Sequence, residues 1–317
     1  MRVIFNDSTN PYFNLAWEEY IFKHIPCHED ILLIWQNSPS VVIGRNQNIW
    51  EEVNLAFANE HHIPVIRRIS GGGAVYNDLG NLNFSIISND FKESLSNYRK
   101  FTEPFIEALK ELGVTATLHG KSDIYVGDEK ISANTQSYYQ NRMIHQGTLL
   151  FSTSMPTLFA VLKNDDPEVL SIAVKSERVK ATNISSHLME MVDLETFKQY
   201  LFRRLLKTEH LEQRAIRLLE HDYALIKELE YDKYRTWEWN YGESPAFEIG
   251  KSTGKYRIRV KVDEGIIEEV EYSEGVKKGI LTIYSGMRYE LSEMLKRMDE
   301  IDTQIRKPVE ELLKKLL

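Results

Sequence analysis

The chain alternates between short apolar runs, which predict strands, and stretches with apolar residues at helical spacing. The first fifty residues show both patterns. "RVIF" predicts a strand, and Asn10 followed by Pro11 predicts the cap and first turn of a helix over "YFNLAWEEYIFKHI". "ILLIWQ" and "SVVIGRN" predict two further strands, separated by the turn-forming "NSP".

Both patterns continue toward the C-terminus. "EEVNLAFANEHH" predicts one helix, and "IPVIRRIS" and "LNFSII" predict strands on either side of a glycine-rich stretch. Apolar residues from Tyr98 to Leu112 predict an amphipathic helix that ends at Gly113. The remaining patterns predict antiparallel strands over residues 114–151, mainly helices over 155–229, a hairpin over 255–272 and two terminal helices. These elements predict a chain that contains both strands and helices.

Glycine and proline interrupt the patterns in "YRTWEWNYGESPAF", so we place a domain boundary there. The prediction is a larger domain over residues 1–245 and a small α+β domain over 246–317. A chain of 317 residues is long enough for this arrangement.

Composition excludes several classes of protein. A net charge of −8 disfavours a general nucleic-acid binder, since such proteins neutralise phosphates with Lys and Arg. Cys27 is the single cysteine, so no intramolecular disulfide can form. The N-terminus does not resemble a signal peptide, and no apolar run approaches the roughly 20 residues that span a bilayer. We therefore expect a cytoplasmic protein that binds neither nucleic acid nor membrane.

Several common site motifs are missing. A Walker-type phosphate loop fails at both candidate segments, where Thr115 and Pro245 occupy the position of its first glycine. Tyr76 stands where a dinucleotide-binding loop needs its last glycine. The nine histidines and one cysteine show no zinc spacing, and we predict no protein metal site.

The segment "RRISGGGAVYNDLGNLNFS" has two arginines ahead of three consecutive glycines. Glycines without Cβ can bring backbone N–H groups close to an anion, although a flexible turn is an equally good interpretation of the triplet alone. Alternation along a strand places Arg67 and Arg68 on opposite sides, so one of them at most reaches over the loop.

"SDIYVGDEKIS" predicts a hairpin with a two-residue loop at Gly127 and Asp128. The implied register pairs Asp123 with Ser132 and places Asp123 and Lys130 on one face. Lys130 could then bind an anion, or the two residues could form an ordinary exposed pair. The basic stretch "VKSERVKATNI" between predicted helices is, by default, a solvated loop.

Together and in this order, these segments resemble the lipoate–protein ligases. The resemblance covers "NLAWEEY", "GRNQN", the arginine–glycine segment, the hairpin, "HQGTLLF" and "VKSERVKATNI". "WEWNYGESPAF" resembles the lead-in to the C-terminal domain of the long bacterial form. The family implies an α+β fold, with a mixed-sheet catalytic domain of the biotin/lipoate protein ligase type followed by a small α+β accessory domain.

The resemblance also implies a reaction. Free (R)-lipoate and ATP, with Mg²⁺, give lipoyl-AMP and pyrophosphate, and a lysine of a lipoyl domain then takes the lipoyl group as an amide. Expected acceptors are the glycine-cleavage H protein or an oxo-acid dehydrogenase acyltransferase subunit, and we expect the ligase to be a monomer.

The residues that match the family's site motifs receive expected roles. Lys130 is the expected catalytic residue, lying between the carboxylate and the α-phosphate. Arg68 is expected to hold phosphate, and Trp35 and Val75 to wall the acyl chain. The expected adenylate-binding residues are Arg68, Ser70, Gly71, Gly72, Gly73, Ala74, Val75, Tyr76, Asp123, Lys130 and Thr148.

The chain departs from the family pattern at Asn77, Ala133 and Gln146. Two alternatives remain open. An acyl transferase on the same fold needs a nucleophilic thiol, for which Cys27 is the sole candidate and lies far in sequence from every site motif. A non-catalytic lipoyl-binding regulatory homologue would retain the fold without the reaction.

Overall fold

A computed structural model of the chain describes residues 1–26, 28–162 and 169–316. The strands are β1 (Arg2–Val3), β2 (Ile31–Trp35), β3 (Ser40–Ile43), β4 (Val65–Arg67), β5 (Val75–Asn77), β6 (Asn81–Ser88), β7 (Ala116–His119), β8 (Asp123–Val126), β9 (Glu129–Ser132), β10 (Asn134–Tyr139), β11 (Arg142–Leu150), β12 (Val169–Ser171), β13 (Phe247–Thr253), β14 (Tyr256–Asp263), β15 (Ile266–Glu274) and β16 (Lys277–Ile280). The α-helices are α1 (Pro11–His24), α2 (Ile49–Glu52), α3 (Leu55–Glu60), α4 (Phe91–Ser94), α5 (Tyr98–Glu111), α6 (Met155–Val161), α7 (Leu194–Leu206), α8 (Glu220–Leu229), α9 (Leu291–Lys296) and α10 (Thr303–Leu313).

The described residues form four sheets. The central sheet has the order β1-β2-β6-β11-β10, in which β1 and β2 are parallel and the other pairs are antiparallel. A second sheet, β4-β3-β5, is also mixed, and β7-β8-β9 forms a third, antiparallel one. The C-terminal sheet has the order β12-β13-β14-β15-β16. The predicted α+β class with a mixed sheet is confirmed.

Helix α1 packs across one face of the central sheet. Asn10 caps it, because the Asn10 side-chain oxygen accepts hydrogen bonds from the backbone N–H groups of Tyr12 and Phe13. Most of the helix is buried, including Glu18 and Glu19, and its apolar residues share a core cluster with β2, Ile87 and Ile144. The helix therefore carries two carboxylates into the interior.

Two predicted elements differ from the structure. The single helix predicted over residues 51–62 is two short helices, α2 and α3, because the Asn54 side chain accepts from the backbone N–H of Phe57 and starts a new helix. The region predicted as mainly helical contains β12, which pairs with β13.

The C-terminal sheet shares apolar packing with the rest of the chain. One core cluster combines Val41 and Trp50 with Phe247, Val260 and Leu312. The division at residues 245 and 246 stays a prediction. Among the described residues, no helix combines the length and the apolar character needed to cross a membrane.

Arg67, at the end of β4, joins three segments of the chain. Its side chain is fully buried, and its guanidinium donates to carbonyl oxygens of residues 44, 45, 47, 239 and 240 and to the Ser244 hydroxyl. Burial lowers the pKa of Arg67 to about 10, with a further contribution from the nearby Arg45 charge. This side chain connects the strand that enters the glycine segment to the chain that leads into the C-terminal sheet.

Replacing Arg67 tests this connection. In Arg67→Met the acceptors around the guanidinium lose their donors, and we expect the free energy of unfolding to fall by more than about 3 kcal/mol. Arg99→Met is the control, since the Arg99 side chain is 71% exposed in a pair with Glu103 and should cost about 0.5 kcal/mol or less. Urea unfolding measures both, and equal losses would contradict the role of Arg67.

Candidate functional site

The glycine segment forms a tight loop between β4 and β5. Gly72 has φ +88°, a conformation that favours glycine. The loop also packs closely on β3's end, where a Cβ on Gly44 would lie 2.1 Å from the Gly72 carbonyl oxygen. Both glycines are therefore required by the geometry of this loop.

Arg68 holds this loop from inside. Its Nη2 donates to the carbonyl oxygens of Gly71, at 2.5 Å, and Gly73, at 2.9 Å, while its Nε donates to the Ser70 hydroxyl. Burial lowers the pKa of Arg68 to about 10, opposed by the nearby Glu18. As expected from strand alternation, Arg67 and Arg68 have different environments, and only Arg68 faces the cavity described below.

The β8–β9 hairpin presents Lys130 on a rigid strand. Its Nζ lies 2.5 Å from Asp123 Oδ2, and both side chains are less than one-fifth exposed. The predicted register is wrong at one pair, because Ile124 and not Asp123 is opposite Ser132. A register shift between Ile124 and Tyr125 causes the difference. The ion pair forms nevertheless.

The basic stretch over residues 174–184 is not the solvated loop predicted by default. Its Ser176 hydroxyl accepts from the backbone N–H of Ala74 at 2.8 Å and from Gln47 Nε2 at 3.0 Å. The Ser176 backbone N–H donates to Glu52. Further along, the backbone of residues 180–182 pairs with Lys130 on both sides. The stretch therefore covers the glycine loop and supports the lysine.

Two cavities meet at Lys130. Cavity A, of about 280 Å³, lies against the central sheet. Its walls combine apolar side chains with many polar and charged ones, among them Arg68 and Glu18. Cavity B, of about 290 Å³, is mostly apolar and is lined by residues that include Leu150, Leu158 and Phe159. The residues shared by both are Ala74, Val75, Lys130, Ala133, Thr148, Ser176 and Glu177.

Most of the predicted site residues come together here. Those lining cavity A, cavity B or both are Trp35, Arg68, Gly72, Gly73, Ala74, Val75, Tyr76, Asp123, Lys130 and Thr148. Ser70 and Gly71 line neither, and contact Arg68 from behind the loop instead. The backbone N–H of Ala74, an expected adenylate-binding residue, donates its hydrogen bond to the Ser176 hydroxyl. Cys27 lies outside the described residues.

Glu18 is a cavity residue that the sequence analysis missed. It is 1% exposed, accepts a hydrogen bond from the Ser85 hydroxyl, and accepts another from Gln146 Nε2 at 2.5 Å. Burial raises the pKa of Glu18 to about 7, against the opposing effect of these bonds and of Arg68. The sequence feature that could have indicated Glu18 as a site residue was an acidic side chain within the apolar face of α1.

The site thus consists of two adjoining cavities that share Lys130, a lysine on a β-strand. An α+β protein with such a site has room for two small ligands placed end to end. The sequence model of the family described as "Lipoyl protein ligase A/B catalytic domain" matches residues 10–206. The chain therefore belongs to the lipoate–protein ligase family.

Relatives and solved structures agree with this assignment. The chain is 40% identical over 270 residues to lipoate–protein ligase 1 of Staphylococcus aureus (strain Mu50), covering 84% of this chain and 82% of that protein. It is 39% identical over 303 residues to the lipoate–protein ligase LplJ of Bacillus subtilis (strain 168), covering 92% of each.

Two solved structures are similar over 76% of this chain. One is a lipoate–protein ligase A bound with ATP, at 29% identity and a TM-score of 0.64, covering 98% of that chain. The other, from a study of a bipartite lipoate protein ligase and its E2 lipoyl domain from Thermoplasma acidophilum, has 28% identity and a TM-score of 0.65, covering 96% of that chain.

The raised pKa of Glu18 predicts a pH-dependent stability. The folded chain holds the Glu18 proton up to a pH of about 7, whereas the unfolded chain loses it near the ordinary glutamate pKa of 4.5. The stabilisation from this group is thus complete below about pH 4.5 and is lost as pH rises toward 7 and beyond.

Glu18→Gln removes this titration. A flip of the Gln146 amide, whose Oε1 has no hydrogen-bond partner among the described residues, would let it accept from the new side chain. As the pH rises from 5 to 8, the free energy of unfolding of the variant should increase relative to that of wild type by on the order of 3 kcal/mol. Urea unfolding at both pH values measures this gain, and a constant difference between the two proteins would refute it.

Proposed function

We propose that this chain is an ATP-dependent lipoate–protein ligase that works through an acyl-adenylate. A lipoate carboxylate oxygen attacks the α-phosphate of ATP, and pyrophosphate leaves. The amine of an acceptor lysine then attacks the acyl carbon, forming an amide and releasing AMP. The observation that carries the proposal is the junction of two cavities at Lys130, where two ligands can meet.

The cavities have chemistry suited to different halves of the adenylate. Cavity A lies along the central sheet with Leu15, Trp35 and Phe84 on its walls, and we assign it to the acyl chain. Cavity B, lined by Tyr76, Leu158 and other apolar residues, is assigned to the nucleoside. The carboxylate and the α-phosphate then lie at the shared residues.

Lys130 is the proposed catalytic residue. Its ammonium is held by the hairpin and by Asp123, so it is oriented before the ligands arrive. Charge builds up on phosphate oxygens in the first step and on the acyl oxygen in the second. A cation placed between the two groups stabilises both transition states.

Arg68 is proposed to act mainly through its charge and through the loop that it holds. Its hydrogen bonds to the loop carbonyls, to Ser70 and to Val42 occupy four of its five N–H groups. The guanidinium therefore keeps the glycine amides in place, and its charge remains close to the bound phosphate.

Magnesium is expected to enter with ATP. Mg²⁺ generally keeps several waters and binds through substrate phosphates and one or two carboxylates. Asp123 and Glu177 are carboxylates on the cavity wall that fit this role. The described residues contain no group of three or more His, Cys, Asp or Glu side chains that could hold a metal alone.

Lipoyl domains are the proposed acceptors, as the Thermoplasma ligase was studied together with its E2 lipoyl domain. Both the glycine-cleavage H protein and an oxo-acid dehydrogenase lipoyl domain remain candidates. Incubating each separately with lipoate and ATP and following the mass of the acceptor distinguishes them. We also propose that the enzyme is a monomer. We propose a cytoplasmic location, because ATP is a cytoplasmic substrate.

The first step can be measured without any acceptor. Wild-type protein with lipoate and ATP should release pyrophosphate. Lys130→Met should lower that rate at least about 100-fold, because it removes charge stabilisation worth about 3 kcal/mol.

Lys180→Met is the matched control. The Lys180 side chain is 74% exposed and pairs with Asp128 at the surface, so the rate should stay within about twofold of wild type. An unchanged rate in Lys130→Met would refute the catalytic assignment. No pyrophosphate from wild type would favour the acyl transferase or the non-catalytic homologue.

Cys27→Ser separates the ligase from the thiol-dependent transferase. The ligase needs no thioester, so the variant should modify an acceptor at the wild-type rate with lipoate and ATP. The measurement is the mass of the acceptor domain over time. Complete loss of modification in a variant that unfolds like wild type would support a cysteine-based mechanism.

A further inference from the structure

Cavity A contains polar atoms whose hydrogen-bonding capacity is unused. Asn83 is 6% exposed and Trp35 is 4% exposed, and both line the cavity. Neither Asn83 Nδ2 nor Trp35 Nε1 has a hydrogen-bond partner within the parts of the chain that the structure describes. A buried donor without a partner is costly, so these atoms point to a ligand that supplies acceptors.

Strand register fixes the order of these residues along the cavity floor. Trp35 on β2 is opposite Asn83 on β6, and Asn83 is opposite Thr148 on β11. Residues opposite one another lie on the same face, and neighbouring strands are about 4.8 Å apart. Thr148 lines both cavities. Asn83 is therefore one strand, and Trp35 two strands, away from the junction.

A ladder of buried asparagines orients the Asn83 amide. Asn81 Nδ2 donates to Asn77 Oδ1 at 2.8 Å and to Asn83 Oδ1 at 3.4 Å. Asn81 and Asn77 are fully buried. Because the Asn83 oxygen accepts from Asn81, its NH₂ group is the part without a partner among the described residues. Asn77, one of the departures from the family pattern, is the base of this ladder.

We propose that Asn83 Nδ2 donates a hydrogen bond to the acyl oxygen of the substrate. This inference rests on the proposed function, since it needs an acyl group whose carboxyl end lies at the cavity junction. Of the two donors without a partner among the described residues, Asn83 Nδ2 is on the strand nearer to that end. Trp35, one strand further away, borders the acyl chain instead.

The same donor serves both chemical steps. In lipoate it contacts a carboxylate oxygen, and in the adenylate it contacts the carbonyl oxygen. During transfer the acceptor nitrogen bonds to the acyl carbon, and the π electron pair moves onto that oxygen. The pair returns as the bond to AMP breaks, AMP leaves as an anion, and one proton of the attacking NH₂ group passes to water while the other stays on the amide nitrogen. A fixed N–H donor stabilises the oxygen while it carries the charge.

The test compares two ligands that differ at the acyl oxygen alone. One is lipoyl-adenylate, and the other is its analogue with CH₂ in place of the carbonyl group. Their dissociation constants are measured on wild type and on Asn83→Ala in the absence of acceptor. We expect lipoyl-adenylate to weaken about tenfold or more and the CH₂ analogue to weaken less than about threefold. Equal weakening of both ligands would mean a structural role and would overturn the inference.

Two further variants make the result decisive. Trp35→Phe removes the other unused donor, and it should affect both ligands alike because both carry the same chain. Asn83→Leu keeps the branched arrangement of heavy atoms found in asparagine, and it replaces Asn83→Ala if that variant does not fold, with the same outcomes. Pyrophosphate release by wild type tests the proposed function separately. If wild type forms the adenylate, but Asn83→Ala weakens the binding of both ligands equally, the role of Asn83 is refuted and the proposed function is not.

Discussion

The site depends on the buried guanidinium of Arg67. Six hydrogen bonds from this one side chain tie the end of β4 to residues 44–47 and to the segment over residues 239–244. With the strand fixed, the next residue, Arg68, must face the opposite side, where it holds the carbonyls of the glycine loop. The two consecutive arginines thus have different structural roles. One fixes the framework, and the other shapes the wall of cavity A.

Cavity A combines apolar side chains with polar groups, some of which have atoms without a hydrogen-bond partner among the described residues. Glu18 is buried with two hydrogen bonds and a pKa raised to about 7, while Trp35, Asn83 and Gln146 each have one buried atom without a partner among the described residues. Such groups lower the stability of the folded chain. Their position along one face of the central sheet is what a ligand with an apolar chain and a polar end requires.

Local rules predicted much of the fold. The Asn10 cap, the helix ending before Gly113 and the hairpin loop at Gly127 all follow from the conformational preferences of single residues, and the structure agrees at each. The prediction failed where a side chain from within the segment intervened, as with Asn54 dividing a helix, or where a bulge shifted a register, as at Ile124. Neither event leaves a hydrophobic pattern that periodicity can detect.

The sequence by itself determined the glycine loop and the hairpin lysine and, through resemblance, the α+β class and the family. Those features reside in contiguous segments, whose residue types and spacing carry the information. Only the tertiary structure decided that residues 174–182 cover the loop, that Glu18 enters the cavity, and that Asn83 lies between Trp35 and Thr148. These contacts join residues far apart in the chain, and burial and strand register, which are properties of the packed fold, set them.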